Sequence, residues 1–128
     1  MPRKRRAPTW PVEWFCPIIC GTPWRVVFGR PEDLADLKDD DGCTIYATST
    51  IWIASRFAGQ PERCAEIAFH ELDHAIGEMS GGRHVIFGAD SDREENAIRI
   101  YSPARYAALA ASGLLTLPPV PPLPPQHT

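Results

Sequence analysis

The chain has 128 residues, which is enough for one domain with one modest hydrophobic core. Its net charge of −3 excludes a general electrostatic attraction to nucleic acid or to anionic lipid. No apolar stretch approaches the roughly 20 residues that span a bilayer, and the basic start is not followed by the apolar segment of a secretory signal. We therefore expect a cytoplasmic protein without a membrane partner. No two of its four cysteines form a Cys-x-x-Cys pair, so we expect all four to be reduced thiols.

The two ends of the chain differ in composition from its middle. Residues 1–11 are basic and contain proline, so we expect a flexible arm, and the absence of an aromatic platform beside its cations disfavours a nucleic-acid partner. Residues 117–128 are rich in proline, which predicts an extended polyproline tail that either stays in solvent or docks on a partner protein. A single domain over residues 12–116 lies between them.

The first half of this domain has the composition of β-strands. Residues 24–28 are apolar and β-branched and are followed by glycine, which predicts a strand. A proline and two acidic residues predict a short helix over residues 31–37. Residues 43–55 place Ile45-Tyr46 and Ile51-Trp52-Ile53 on either side of a small polar centre, which predicts a hairpin or two linked strands.

Two helices are predicted in the second half. Over residues 62–78 apolar side chains recur at steps of three and four, and Pro61 is suited to the first position of a helix. A second helix is predicted from about residue 90 to residue 102, because serine and aspartate at its start are favoured caps. Pro103 is expected to break or restart this helix before an alanine-rich continuation.

The first of these helices carries the pentapeptide His70-Glu71-Leu72-Asp73-His74. Residues four apart lie on one face of a helix, so both imidazoles can bind the same metal ion. Glu71 lies beside the first of them, where it can polarise a metal-activated water molecule and carry the proton to the leaving amine. The pattern is the His-Glu-x-x-His signature of zinc metallopeptidases. Two surface histidines are the alternative, which the apolar flank disfavours because burying three ionisable groups without a metal is costly.

A catalytic zinc needs a third protein ligand and leaves its fourth position to water. Helical phase favours Glu94, which falls on the apolar face of the second helix, whereas Glu95 lies off that face and is expected to be exposed. His84 could bind after a turn. The full set of candidates comprises the acidic residues and the histidine that follow the motif: His84, Asp90, Asp92, Glu94 and Glu95.

The motif and its surroundings resemble a known group of enzymes. His-Glu-Leu-x-His-Ala, preceded by the strand-like residues 50–54, looks like the minimal gluzincins of phages and mobile elements, above all the ImmA/IrrE-like peptidases and more loosely the SprT-like proteases. The resemblance covers residues 42–106. It implies an α+β fold in which a small antiparallel sheet packs on the active-site helix and a second helix carries the third ligand. It also implies that residues 50–54 line the cleft and pair with the substrate backbone.

One departure from the gluzincin pattern keeps Asp92 open as the third ligand. In that group the glutamate ligand is often followed four residues later by Asp or Asn, which supports the first histidine. Ile98 occupies this position relative to Glu94, whereas Asn96 has the required spacing from Asp92.

These patterns predict a minimal zinc metallopeptidase that hydrolyses peptide bonds of a protein or peptide substrate. Zinc would be held by His70, His74 and Glu94, and Glu71 would be the general base. The alternative is a catalytically silent zinc-binding scaffold that acts as a protein-interaction module, because so short a chain leaves few residues for substrate pockets. The resemblance further implies a phage or mobile element as source and a host cytoplasm as location.

Overall fold

The computed structural model describes residues 8–88 and 90–125, apart from the side chains of residues 83–85, so His84 lies outside the described side chains. Within those ranges the strands are β1 (Val12–Phe15), β2 (Ile18–Ile19), β3 (Thr22–Pro23), β4 (Arg25–Gly29), β5 (Gly42–Ile45) and β6 (Thr50–Ala54). The helices are α1 (Pro61–Ser80), α2 (Gly82–Phe87) and α3 (Ser91–Ala111), with short 3-10 turns at Ala35–Lys38, Tyr46–Thr48 and Ser55–Phe57. No helix among these residues is long and apolar enough to cross a membrane.

Four of the strands form one sheet in the order β1-β4-β6-β5, and β2 and β3 form a separate small hairpin. The pairs β1–β4 and β5–β6 are antiparallel, whereas β4 and β6 run parallel. The parallel pair arises because the chain leaves β4, forms the edge strand β5 and then returns between them as β6. The predicted α+β class is confirmed, with a sheet that is mixed where the resemblance implied an antiparallel one.

The inner position of β6 corrects the expectation that residues 50–54 pair with a substrate. The hairpin predicted within residues 43–55 is confirmed as β5 and β6, with Cys43 opposite Trp52. On its other side β6 pairs with β4 along its whole length, so both of its edges are already used. The strand at the end of the sheet beside α1 is β5, and its outer edge is the one that another chain could extend.

The hydrophobic core lies between this sheet and α1. The helix begins with Pro61 in its first turn, and Ser80, its last residue, is followed by Gly81, whose φ of 77° is the left-handed conformation of a helix C-cap. Its inner face is apolar and packs on sheet residues such as Phe28 and Ile53, which are fully buried. The helix predicted over residues 62–78 is thus confirmed, and its periodic apolar face packs against the apolar face of the sheet.

Helix α3 continues through Pro103, so the expected break at this residue is wrong. Its N-cap is Asp90, whose side chain accepts hydrogen bonds from the backbone N–H groups of Asp92 and Arg93. Proline costs the helix one backbone hydrogen bond, but Ile98 and Ser102, which precede it on the same helix, are both buried. Packing of α3 on α1 therefore holds the helix together across Pro103.

Two glycine substitutions are expected to change stability in opposite directions. A Cβ atom on Gly42 would lie 2.7 Å from Ile67 Cγ2 and 3.1 Å from the carbonyl oxygen of Trp52, so Gly42→Ala should lower the free energy of unfolding by about 1–3 kcal/mol. At Gly77, inside α1, the nearest atom would be 3.9 Å away, so Gly77→Ala should raise it by about 0.5–1 kcal/mol. Urea denaturation measures both, and equal effects would contradict the close approach of β5 to α1.

Candidate metal centre

Helices α1 and α3 pack side by side and bring three candidate ligands together. His70 and His74 lie one turn apart on α1, with ring centroids 5.1 Å from each other. Glu95 of α3 reaches both rings, since its Oε1 is 3.0 Å from Nε2 of His70 and its Oε2 is 2.7 Å from Nε2 of His74. One ligand atom from each residue lies within 4.8 Å of the others. This spacing is compact enough for the three residues to hold one metal ion.

Glu94 lies behind His74 and outside this group of three. Its Oε1 is 2.6 Å from Nδ1 of His74, the ring nitrogen that points away from Glu95. Glu94 is only 4% exposed, so helical phase correctly placed it on the buried face. Glu95 was expected to be exposed, but it is partly buried because its carboxylate lies over both imidazoles. The geometry therefore favours Glu95 as the third ligand, and it gives Glu94 a supporting position.

Each ring nitrogen of His74 faces a carboxylate, and this restricts the protonation state of the imidazole. A neutral imidazole carries one N–H, so two contacts at hydrogen-bond distance require an imidazolium, a protonated carboxyl group on one side, or a cation on one side. Burial lowers the pKa of His74, but the hydrogen bond to Glu94 and the charges of Glu71 and Glu95 outweigh it, and the pKa is raised. A metal ion on Nε2 would replace the second proton and leave Nδ1–H to Glu94, the arrangement common around metal-bound histidines.

Glu71 lies beside the cluster and is held by the edge strand. The hydroxyl of Thr44, on β5, donates a hydrogen bond to Oε2 of Glu71 at 2.5 Å. Burial raises the pKa of Glu71, and the hydrogen bond from Thr44 and the charges of His74 and His70 oppose that rise only in part. A partly buried carboxylate with a raised pKa beside a metal site suits a general base. Thr44 was not identified from the sequence, because nothing in its strand pattern distinguishes it.

The cluster opens into a cleft of about 480 Å³ between α1, α3 and the beginning of β5. His70, Glu71 and Glu95 form part of its wall, and Gly42 lies at the β5 side. Most of the remaining lining is charged or polar: Asp39, Asp40, Asp41, Arg63, Glu66, Arg99 and Ser102. Two of the candidate ligands, His70 and Glu95, and the candidate base are therefore accessible to a polar molecule from solvent.

The other acidic candidates lie apart from the cluster. Asp90 caps the beginning of α3, and Asp92 is exposed in the first turn of that helix. Asp73, inside the pentapeptide, forms an ion pair with Arg105 of α3. This pair links the two helices that carry the candidate ligands, so it helps to fix the position of Glu95 relative to the histidines.

Comparisons with protein-family models, with curated proteins and with solved structures found no match for this chain. The likeness to gluzincins consequently rests on the pentapeptide and its context in the sequence.

Proposed function

We propose that the protein is a zinc-dependent metallopeptidase in which His70, His74 and Glu95 hold the metal and Glu71 is the general base. The observation that carries this proposal is the convergence of one carboxylate from α3 on the two imidazoles of α1, with Glu71 beside them. Two imidazole nitrogens and one carboxylate oxygen are a donor set of catalytic zinc sites, which keep one position open. When bound, zinc would supply the Lewis acidity that polarises a peptide carbonyl and lowers the pKa of water.

The chain's own groups fit the remaining tasks of peptide hydrolysis. The carboxylate of Glu71 faces the cleft, where it can accept a proton from water and deliver it to the departing amine. The outer edge of β5 borders the same cleft through Gly42, so an extended substrate can add to the sheet there by backbone hydrogen bonds. Thr44 lies on this strand and contacts Glu71, which couples the position of the base to the strand that would bind the substrate.

A catalytically silent zinc-binding scaffold remains the second candidate, because it would use the same three metal ligands. The two functions differ in whether Glu71 is needed. Elemental analysis of the purified chain after dialysis, combined with an assay of hydrolysis of an unfolded protein, tests both. About one zinc per chain with hydrolysis supports the metallopeptidase, and zinc without hydrolysis supports the scaffold. Absence of retained zinc would contradict both.

Thr44 provides a test of how the base is positioned. Thr44→Val keeps the shape of the side chain but removes the hydroxyl that holds Glu71, so we expect hydrolysis to slow by about 10-fold or more, the typical effect of losing a hydrogen bond to a charged group. Zinc content should not change. Thr44→Ser retains the hydroxyl and should retain most of the activity. Equal losses in both variants would show that the methyl group, rather than the hydrogen bond, matters.

A further inference from the structure

A second groove lies between β1, α1 and α3, and residues 117–120 of the chain's own proline-rich tail cross it and form one of its walls. The indole Nε1 of Trp14 donates a hydrogen bond of 2.7 Å to the carbonyl oxygen of Pro118, a contact that spans 104 residues of sequence. Leu117 and Val120 pack against the hydrophobic core. The space that remains beside the tail measures about 420 Å³. Its other walls come from the rest of the domain and are mostly apolar and aromatic: Trp14, Pro61, Ala65, Tyr106 and Ala110.

The contacts have the form in which proline-rich segments are generally recognised. A polyproline II helix repeats every three residues, so the side chains of Leu117 and Val120 fall on the same side of such a segment. Aromatic-lined grooves bind these segments through apolar contacts and through donors to their carbonyl groups, which is the role of Trp14 toward Pro118. Pro118 and Pro119, between the two anchors, are exposed.

The tail can leave this groove without breaking regular secondary structure. Six of the nine residues from 117 to 125 are proline, which lacks a backbone N–H, so this segment cannot be paired into the sheet. It contains neither helix nor strand, and Leu123, three residues beyond the second anchor, is 58% exposed. The described contacts between residues 117–125 and the rest of the domain are apolar packing and the one hydrogen bond that Pro118 accepts from Trp14.

We propose that the surface formed by β1, α1 and α3 in this groove is a binding site for a proline-rich segment of another protein, and that tail residues 117–120 lie on it as an internal competitor. The partner segment would carry two aliphatic side chains three residues apart, separated by prolines, as in Leu117-Pro118-Pro119-Val120. Glu62 and Ala65 of α1 border the groove, whereas Arg63, Glu66, Ile67 and His70 of α1 border the cleft of the metal centre. The two sites thus use different faces of α1, and this inference does not depend on the proposed peptidase activity.

The test uses the full chain and a labelled peptide of residues 114–125 as the probe. A variant with Leu117→Asp and Val120→Asp loses both anchors, so its tail leaves the groove. Because a tethered ligand competes at an effective concentration of about millimolar, the variant should bind the peptide at least about 10-fold more tightly than the unchanged chain. Leu123→Asp is the matched control, since Leu123 is exposed, and it should bind like the unchanged chain. Fluorescence anisotropy measures the affinities.

A substitution of Trp14, made in the variant with Leu117→Asp and Val120→Asp, tests whether the indole N–H contributes to peptide binding. Trp14→Phe keeps an aromatic ring but removes the N–H donor, so peptide affinity should fall by about 3- to 10-fold. A folded undocked variant that does not bind the peptide overturns the proposal. So does a variant that fails to fold, because the tail would then be a fixed part of the core. Concentration-dependent dimers of the unchanged chain with exchanged tails would identify a second copy as the occupant and overturn the assignment to another protein.

Discussion

Replacement of Glu71 by glutamine is expected to slow peptide hydrolysis by about 10²–10⁴-fold while zinc remains bound. The amide has the shape of the carboxylate and can still accept the hydrogen bond of Thr44, but it cannot take a proton from water. The three candidate metal ligands are unchanged, so the metal content should stay at that of the unchanged chain. Initial rates on an unfolded protein substrate and elemental analysis of the same samples measure the two effects.

A matched control lies on the same helix. Glu62 is exposed in the first turn of α1, about 13 Å along the helix from Glu71 at 1.5 Å per residue, and Glu62→Gln makes the same chemical change. It should leave both hydrolysis and zinc content unchanged. Hydrolysis that persists at the full rate in Glu71→Gln would contradict the assignment of Glu71 as the general base.

The histidine pair was predictable because its geometry is local. His70 and His74 are four residues apart, and the apolar periodicity around them predicts the helix that aligns their rings. Pro61 at the first turn and Gly81 after the last one mark the ends of that helix in the sequence. The relation between the two rings therefore depends on one helix alone, and 3.6-residue periodicity describes that helix without information about the rest of the fold.

The third ligand was not predictable in the same way because it depends on how two helices meet. Periodicity placed Glu94 on the buried face of α3, and this face does pack on α1. The carboxylate of Glu94, at the centre of the contact between the helices, reaches Nδ1 of His74, the ring nitrogen that points away from Glu95. Glu95, at the border of the contact, can extend around it to both Nε2 atoms. The relative position of the helices decides between them, and sequence periodicity does not report it.

The position of the tail and the order of the strands in the sheet also depend on contacts between residues far apart in sequence. The composition of residues 117–125 predicted a segment without helix or strand, which agrees with the structure, but not its position against Trp14. Likewise the β-rich composition of residues 43–55 predicted two strands, but not that β6 would be inserted between β4 and β5. Sheet order is set by pairing partners far apart in sequence, and a strand carries little local information about its neighbours.

Glu95→Ala is expected to lower zinc affinity by more than about 100-fold, whereas Glu94→Ala should lower it by about 10–100-fold, the usual cost of removing a group that supports a ligand. The difference follows from the contacts with the histidines, because Glu95 reaches the Nε2 atoms of both rings and Glu94 reaches Nδ1 of His74. Competition with a chromophoric chelator measures the affinities. Asp92→Ala changes an exposed carboxylate of the same helix turn and should bind zinc like the unchanged chain.

The corresponding glutamine variants separate a ligand from a supporting group more sharply than the alanine variants do. If Glu94 accepts a hydrogen bond from Nδ1 of His74, Glu94→Gln still offers an amide oxygen to that N–H and should retain more zinc affinity than Glu94→Ala. If Glu95 is a ligand, Glu95→Gln loses the negative charge at the metal and should be nearly as impaired as Glu95→Ala. The opposite pattern, with amide rescue at position 95 and none at position 94, would assign the third ligand to Glu94, as helical phase alone predicts.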